Sequence, residues 1–397
     1  MKKKTMMIAG VMSGTSADGI NVALVRIKDQ GRSLEVNTRA HARFELLGHA
    51  EYSYPKKVRA AVLAAMNATR ASVADLARLN FLLGELYADA VLATQRQFRV
   101  KADLIGCHGQ TLYHQGEPAF FLGHKLAATW QMGESAIVAA KVGAPVVSDF
   151  RPADLAAGGK GAPLVPFLDY MLFADAHMGR IAQNIGGIAN LTAIPAGATP
   201  REVTAFDTGP GNMVIDAVTS HLYQQAFDRG GRIAASGKVQ DKVIQKMLQR
   251  DFFRKTPPKT AGREEFGREF VGEFLSICRG LLKQDIVATA TALTARSIAD
   301  AVQRYAMQSS TRKQRFQEMI LSGGGAKNST LVTILTSELA PLGLRLRFSD
   351  ELGLPSAAKE AVAFALLAHE TWHHRPSNVP SATGAKRAAL LGKISYP

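Results

Sequence analysis

The stretch MIAGVMSGTSADGINVALVRI, residues 7–27, decides the fold class that the sequence predicts. Apolar runs at residues 6–12 and 22–27 flank a segment of Gly, Ser, Thr and Asp, which is the pattern of two β-strands joined by a polar turn. Small turn residues let backbone N–H groups and hydroxyls approach an anion, and Asp18 could hold Mg²⁺ or order water. The same residue types populate ordinary β-turns, so this segment taken alone favours a plain turn.

The opening pattern recurs in the second half of the chain. Residues 180–194 have the pattern of a strand, a glycine turn and a second strand, and residues 148–166, rich in Gly, Pro and Ala, predict an ordered loop or a domain junction. We place a boundary shortly after that loop, which gives an N-terminal domain of residues 1–175 and a C-terminal domain of residues 176–397. The last helix, near residues 356–370, has a second option, which is to pack back on the first domain.

Helical periodicity fills much of the remaining chain. Residues 59–98 predict one or two amphipathic helices, and residues 276–283 and 285–307 also have helical patterns. Residues 319–321 predict a short strand that leads into Ser322-Gly-Gly-Gly and then a helix at 330–339. A strand, a glycine turn and a helix in this order commonly bring backbone amides to a nucleotide or phosphate.

Two glycine turns in the second half could carry chemistry. In Phe206-Asp-Thr-Gly-Pro-Gly-Asn212, the carboxylate of Asp207 could act as general base or metal ligand, although a plain turn with an N-capping Asp remains an alternative. Three consecutive glycines at 323–325 cost chain entropy, which favours close approach of a ligand there. Together with the first turn, they predict a phosphate-binding cleft between two similar domains. No Walker or Rossmann glycine motif is present.

Composition limits the function classes. The 397 residues are 47% hydrophobic and 20% charged, which is typical of a folded globular protein and excludes a disordered chain. Two cysteines argue against a disulfide framework and fit a reducing compartment. No apolar run approaches the roughly 18 residues that a bilayer requires, so no membrane partner is predicted. The basic and apolar N-terminus imitates a signal peptide, but a first β-strand that enters a functional turn explains it better.

The charge balance is strongly basic, with 48 Lys and Arg against 33 Asp and Glu, a formal net charge of +15. Such a charge raises the prospect of nucleic-acid binding, which predicts a steep salt dependence of affinity. The densest basic groups, at residues 2–4, 254–259 and 312–315, are short and lack zinc-finger spacing or RNA-binding aromatics. We therefore predict no nucleic-acid partner, and a basic surface that suits an anionic small-molecule substrate.

Nine segments taken together resemble the anhydro-N-acetylmuramic acid kinase family of the actin-like sugar kinase superfamily. They run in family order over nearly the whole chain: GVMSGTSADG at 10–19, HGQT at 108–111, SDFRPAD at 148–154, AAGGKGAPL at 156–164, NIGGIAN at 184–190, FDTGPGN at 206–212, GRE at 262–264, SGGGAKN at 322–328 and EAVAF at 360–364. The resemblance implies a two-domain α/β fold of the actin-like ATPase type, shared by acetate and sugar kinases, heat-shock cognate protein and actin, with an active-site cleft between the domains.

The resemblance also implies a reaction. In it, 1,6-anhydro-N-acetylmuramic acid, ATP and water give N-acetylmuramic acid 6-phosphate and ADP, with Mg²⁺ accompanying the phosphates, in peptidoglycan recycling. Asp207 would take a proton from the water that attacks the anomeric carbon, while the departing O6 attacks the γ-phosphate. A cytoplasmic enzyme that forms a homodimer is the family expectation.

Site residues follow from the matched motifs. On the sugar side we expect Arg151, Asp154 and Glu360, with Arg151 paired to the lactyl carboxylate; an ion pair of Arg151 with Asp149 or Asp154 is the alternative. His108 and His114 are expected to orient neighbours rather than to act as bases. The ATP-binding residues implied are Gly14, Thr15, Ser16, Asp18, Gly19, Asn21, Gly209, Gly211, Gly323, Gly324 and Gly325.

The chain departs from the family pattern at two positions of the first turn. It has Ala17 where the family usually has Leu or Met, and Asn21 where the family usually has Asp. The second change removes a charge near the phosphates or the metal. Two alternative functions stay open: a related kinase with a different sugar or acid substrate, and a catalytically silent nucleotide-binding sensor, in which Asn21 would mark the lost chemistry.

Overall fold

A computed structural model describes residues 5–28, 44–66, 68–307 and 316–397. The basic groups at 2–4 and 312–315 lie outside the described residues. The described residues up to Leu172 form one compact unit together with Ala357–Pro397, and those of Phe173–Ser356 form a second. No helix within the described ranges is both long and apolar enough to span a bilayer.

Strands in the described part of the chain are, in order, β1 Thr5–Ser13, β2 Gly19–Lys28, β3 Phe44–Ser53, β4 Leu104–Phe121, β5 His124–Met132, β6 Val146–Ser148, β7 Gly179–Ile185, β8 Ile188–Ile194, β9 Thr204–Pro210, β10 Phe316–Ser322, β11 Arg345–Phe348 and β12 Lys393–Ser395. The helices are α1 Lys56–Met66, α2 Val73–Phe98, α3 Ser135–Val142, α4 Phe150–Ala156, α5 Pro166–Phe173, α6 Asn212–Tyr223, α7 Arg232–Ala235, α8 Asp241–Met247, α9 Asp251–Arg254, α10 Arg263–Phe266, α11 Arg268–Ile277, α12 Lys283–Ala301, α13 Ser329–Leu339, α14 Lys359–Trp372 and α15 Pro380–Thr383.

The sheets of the two units share the same order over five strands, β6-β4-β1-β2-β3 in the first and β11-β10-β7-β8-β9 in the second. The first sheet runs β12-β6-β4-β1-β2-β3, with β5 attached to β4, and the second runs β11-β10-β7-β8-β9. In each, the first hairpin and its third strand are antiparallel, and two parallel strands follow on the other side of the first strand. The predicted repeat of the opening hairpin and the predicted actin-like α/β fold are thereby confirmed.

Alternation along β1 separates the two faces of the first sheet. Ala9 and Val11 pack into an apolar core with α2, whereas Gly10 faces α14. Gly10 lies beside Gly106 of β4, and a Cβ on either would come within 1.8 or 2.1 Å of a carbonyl oxygen of α14. The two glycines therefore let α14 lie directly against the sheet.

The residues after Ser356 belong to the first unit, whereas the division at 175/176 assigns them to the second domain. The reason is packing, because α14 is buried on nearly all sides and contacts β1, β2, β4 and β6. The observed grouping corresponds to the option in which the last helix packs back on the first domain.

One local prediction was wrong, and one hairpin was not predicted. Residues 278–282 are not helical, because α11 ends at Ile277 and Gly280 has a left-handed φ of +88°. The long hairpin of β4 and β5 was not predicted, since Gly116 and Pro118 are turn residues by type. In the structure both lie in β4, where the pairing register shifts between Gln115 and Ala119.

Candidate active site

Gln110 of β4 holds the turn between β1 and β2 through hydrogen bonds to Ser13 and Gly14. Ser13 is 1% exposed, and its Oγ lies 2.7 Å from Oε1 of Gln110, 2.8 Å from the Tyr54 hydroxyl and 3.0 Å from the Gly19 carbonyl. Nε2 of Gln110 donates to the Gly14 carbonyl at 3.0 Å. Gln110 belongs to a matched motif, but the sequence gives it no role, because only the parallel pairing of β1 with β4 brings it to the turn.

The turn presents its hydroxyls outward. Thr15 and Ser16 are exposed, and Ala17 has a left-handed φ of 52° and donates its N–H to the Gly14 carbonyl. Asp18 is also exposed and forms an ion pair with Arg59 at 3.0 Å. A solvent-exposed pair of this kind contributes little stability. The turn therefore offers hydroxyl and carboxylate oxygens at its surface.

Asn21 lies on β2, where it pairs with Met12 of β1 next to the turn. Its Oδ1 is 3.1 Å from Nε2 of His49, a residue of the neighbouring β3. Burial lowers the pKa of His49, and the nearby Glu51 partly opposes that shift. Asn21 thus contacts a titratable side chain.

Arg151, on α4, is held by His108 and by the loop of residues 158–161, which we call the glycine loop. Its Nε and Nη2 are 3.1 and 2.9 Å from Nε2 of His108, and its Nη1 donates to the Gly161 carbonyl at 2.7 Å. Neither Asp149 nor Asp154 pairs with it within the described ranges, because Asp149 pairs with Lys393 and Asp154 is otherwise engaged. Burial lowers the pKa of Arg151 to about 10, while Glu360 and Asp154 act to raise it.

His108 is a neutral acceptor in this arrangement. Its Nδ1 is 2.7 Å from the Gly109 carbonyl, so Nδ1 must carry the proton and Nε2 must accept from the guanidinium. Burial, and then the charge of Arg151, holds the pKa of His108 well below its usual value. The ring therefore positions Arg151, in agreement with the orienting role that the sequence predicts.

Asp154 and Glu360 lie in different environments. Asp154 is 0% exposed, and its carboxylate accepts from the Gly161 N–H, the Asn378 amide and the Thr383 hydroxyl at 2.7 to 2.8 Å. Its geometry supports positioning of the glycine loop over direct sugar contact. Glu360, in the first turn of α14, is accessible to solvent, but neighbouring protein atoms remove part of its hydration and so raise its pKa, with Arg151 and then Lys359 opposing.

A cavity of about 580 Å³ lies in the first unit beside α4. Pro152 and Leu155 line it, together with Thr129 of β5 and the loop residues 158–160. Lys160 closes one side through an ion pair with Glu117 at 2.6 Å. The loop that binds Arg151 therefore also borders a space of the size that a sugar needs.

Asp207 lies on β9 of the second unit and is held by the segment 259–261. Its N–H donates to the Lys259 carbonyl at 3.0 Å, and its Oδ2 accepts from the Ala261 N–H at 2.7 Å. Burial raises the pKa of Asp207 to about 6, while the Ala261 bond and the charge of Lys259 limit the rise. In the part of the chain that the structure describes, no hydrogen-bond donor contacts its other oxygen, Oδ1.

Lys259 is a buried cation that sequence reasoning missed. It is 5% exposed, donates to the Phe252 carbonyl at 3.2 Å, and lies 4.7 and 5.1 Å from the ring centroids of Phe252 and Tyr305. Burial lowers its pKa to about 8. In the sequence it was only one member of a short basic group, and of these two aromatic neighbours Tyr305 comes from a distant segment.

The glycines after Asp207 serve close packing. A Cβ on Gly209 would lie 2.6 Å from Oγ of Ser297, and one on Gly211 would lie 2.2 Å from the Gly186 carbonyl oxygen. The carbonyls of Gly186 and Gly187 also accept the N–H groups of residues 211–213, so those amides at the start of α6 are already paired. These glycines bring the turn against the β7–β8 hairpin.

The three glycines at 323–325 divide between packing and an open surface. Gly323 has a φ of +88°, and a Cβ on Gly323 or Gly325 would collide with atoms of Ile185. Gly324 has room, with its closest neighbour, the Asn212 amide, at 3.5 Å. It lines a cavity of about 280 Å³ formed by α6, residues 227–230 and residues 324–328. Asp216, in this cavity, was also missed by sequence reasoning.

Comparison with known proteins identifies relatives of full length. A family model described as anhydro-N-acetylmuramic acid kinase matches residues 6–397. Two curated relatives of that name, from two strains of Bacillus cereus, are each 42% identical over 395 residues, which covers 99% of this chain and 100% of theirs.

Solved structures give weaker matches. The activator of the 2-hydroxyisocaproyl-CoA dehydratase from Clostridium difficile has a TM-score of 0.42 and 14% identity, covering 93% of this chain and 96% of its own. A ROK hexokinase from Thermus thermophilus has a TM-score of 0.39 and 12% identity, covering 92% and 99%.

Proposed function

Because the chain belongs to the anhydro-N-acetylmuramic acid kinase family, we propose that it converts 1,6-anhydro-N-acetylmuramic acid, ATP and water into N-acetylmuramic acid 6-phosphate and ADP, as a step of peptidoglycan recycling. Water adds to C1, the C1–O6 bond breaks, and O6 takes the γ-phosphoryl group as the bond to ADP breaks. The proton of the water passes to Asp207. The observation that carries this proposal is that the Asp207 carboxylate is hydrogen-bonded through Oδ2 only, which leaves Oδ1 to accept a proton.

A carboxylate that is bonded through one oxygen only suits a general base. The Ala261 N–H holds Oδ2 at 2.7 Å and fixes the orientation of the carboxylate, while Oδ1 has no donor within the described ranges. A pKa of about 6 leaves the group about tenfold more ionised than protonated at pH 7, yet makes it a stronger base than an ordinary Asp. Phosphoryl transfer needs mainly positioning and charge neutralisation from the protein, so one such base can serve the coupled bond changes.

In the first unit, we propose that Arg151 binds the lactyl carboxylate of the sugar. A guanidinium has five N–H donors, and the bonds to His108 and Gly161 use three of them. Two donors remain, which is the number that a bidentate pair with a carboxylate requires. We propose that Glu360 also contacts the sugar, and that Asp154 acts through the loop it anchors.

We propose that ATP binds with Mg²⁺. The exposed hydroxyls of Thr15 and Ser16 and the carboxylate of Asp18 are hard oxygen donors of the type that Mg²⁺ accepts. Within the described ranges, no three His, Cys, Asp or Glu side chains cluster as metal ligands. Mg²⁺ often takes only one or two carboxylates plus substrate phosphates, so the donor set fits an ion that arrives with ATP. The ion would neutralise phosphate charge.

We also propose that the enzyme works in the cytoplasm, as a homodimer. Its two cysteines, Cys107 and Cys278, are both free and buried, which suits a reducing compartment. Sedimentation at micromolar concentration is the test of the dimer, and a single monomeric species would remove that part of the proposal.

The function is tested by ADP release with Mg-ATP and the anhydro sugar in ¹⁸O-water, with the product identified by mass. We expect a ring-opened 6-phosphate that carries the label at C1 and none in the phosphate. Asp207→Asn should abolish turnover but leave ATP binding, whereas Asp251→Asn, the same change at an exposed position, should be fully active. ADP release only with a different sugar or acid would indicate the related kinase, and ATP binding without any turnover would indicate the sensor.

A further inference from the structure

Among the residues that the structure describes, one carboxylate that lines the cavity of about 280 Å³ in the second unit has no protein partner. Both oxygens of Asp228 accept backbone N–H groups, of Ile233 and Ala234, at 2.9 Å. Asn328 likewise uses its Oδ1 to accept the Leu331 N–H. Asp216 has no hydrogen bond or ion pair among the described residues, although it is only partly exposed.

An unpaired carboxylate that faces a cavity is costly unless a ligand supplies donors. Burial is the cause that raises the pKa of Asp216, to about 6. Desolvation of a charged group is unfavourable when no hydrogen bond replaces the lost water. An ionised carboxylate accepts hydrogen bonds and donates none, so a ligand that displaces water from Asp216 must bring at least one, and preferably two, N–H or O–H groups.

Position along α6 selects which part of a nucleotide meets Asp216. The helix begins at Asn212, directly after the turn that follows Asp207, and Asp216 lies four residues later. Four residues are about one helical turn, so Asp216 is on the same face as Asn212 and about 6 Å further along the axis. Both residues line the cavity. In a nucleotide the ribose adjoins the phosphates, so a group one turn beyond a phosphate-binding turn meets the ribose.

We propose that Asp216 binds the 2′- and 3′-hydroxyls of the nucleotide ribose and thereby selects ribonucleotides over deoxyribonucleotides. The vicinal diol offers two O–H donors to the two carboxylate oxygens. The inference rests on the proposed function in one respect, namely that ATP binds to this chain, and it uses the expectation from the family resemblance that Gly209 and Gly211 lie beside the ATP phosphates.

Equilibrium binding of ADP and 2′,3′-dideoxy-ADP tests the inference with the full-length protein. We expect the wild type to bind ADP more tightly by about tenfold or more, as for hydrogen bonds to a charged group. Asp216→Ala should lose ADP affinity by a similar factor and bind both ligands equally. Asp216→Asn, which keeps the shape and one acceptor, should discriminate to an intermediate degree. Lys327→Ala, a change in the same cavity, should keep the wild-type ratio, and melting curves verify that each variant is folded.

Three results would overturn the inference. Equal binding of the two ligands by the wild type would mean that the diol is not read. A ratio that survives in both Asp216 variants would assign the diol to another residue. If Asp216→Ala no longer distinguishes ADP from GDP but still prefers ADP over 2′,3′-dideoxy-ADP as the wild type does, then Asp216 binds the base and not the ribose. A wild type that binds ADP with the expected ratio but turns over no anhydro sugar would remove the proposed function and leave this inference standing.

Discussion

The guanidinium of Arg151 donates from both Nε and Nη2 to a single acceptor, Nε2 of His108, at 3.1 and 2.9 Å. This arrangement needs a neutral imidazole with its proton on Nδ1, where the Gly109 carbonyl accepts it at 2.7 Å. The ring also packs 4.6 Å from the ring of Phe364 on α14. His108 therefore fixes the direction of Arg151 without being available as an acid or base.

Replacement of His108 by Phe should weaken sugar binding. The phenyl ring keeps the packing on Phe364 but has no acceptor, so Arg151 loses two hydrogen bonds and its fixed direction. We expect the KM for the anhydro sugar to rise by about tenfold or more, with a smaller change in kcat and an unchanged KM for ATP. Steady-state kinetics measure all three constants.

The control for that experiment is His221→Phe, at an exposed position in the second unit, which should leave the kinetics unaltered. A lowered melting temperature of His108→Phe with an unchanged KM for the sugar would contradict the positioning role and leave His108 as part of the core only.

The pH dependence should report Asp207. Its pKa is about 6, and protonation removes the base, so kcat/KM should fall as the pH decreases through about 6 and level off above it. Lys259 stabilises the ionised carboxylate, so Lys259→Met should move this limb to higher pH. Activity of the variant should then fall more at pH 6 than at pH 8. Rate profiles from about pH 5 to 9 give both curves.

An exposed lysine supplies the comparison for Lys259. Lys246→Met removes the same charge in the last turn of α8 and should not move the limb. If Lys259→Met lowers activity equally at every pH, then the buried lysine supports packing of its aromatic neighbours and does not act on Asp207.

The sequence predicts strands and turns better than it predicts the tertiary contacts that hold the site residues in place. The apolar runs of β1 and β2 and the glycine turn at 322–328 are local signals, and the structure has strands and a turn at those positions. The engagement of Asp154 depends on Asn378 and Thr383, which are 224 and 229 residues away. No local pattern encodes such a contact.

The same limit applies to the glycines. Three consecutive glycines favour ligand approach by sequence, but Gly323 and Gly325 are required by contact with Ile185, and only Gly324 faces a cavity. Asp216 had no motif around it, since its significance comes from the lack of a partner in a folded cavity. Whether a residue packs or binds is decided by the neighbours that tertiary structure supplies.

Introduction of Asp at position 21, the residue that the family resemblance leads us to expect there, should raise the pKa of His49. In Asn21→Asp, a carboxylate would face Nε2 of His49, where the amide oxygen now lies at 3.1 Å. An adjacent negative charge favours the protonated imidazole, so the pKa of His49 should rise from its lowered value. NMR titration of the histidine ring protons measures this shift. Asn21→Gln is the neutral control and should leave the pKa low. A His49 pKa that is unchanged in Asn21→Asp would mean that the two side chains separate in solution.

Gly106→Ala should damage both stability and sugar binding. The added Cβ would lie 2.1 Å from the Phe364 carbonyl oxygen and 2.8 Å from Cβ of Ala368, so α14 must move away from the sheet. We expect the free energy of unfolding to fall by roughly 1–3 kcal/mol, the usual cost of overpacking. Because α14 carries Glu360 in its first turn, kcat/KM for the sugar should fall as well.

Gly272→Ala provides the matched comparison in urea unfolding. Gly272 lies in α11, and a methyl group added to it would have no atom within 4 Å. Alanine is favoured over glycine inside a helix, so this variant should gain about 0.5–1 kcal/mol. Opposite signs for the same chemical change would establish that close contact of α14 with β4, and not glycine flexibility, is what position 106 requires. Equal midpoints for the two variants would contradict that contact.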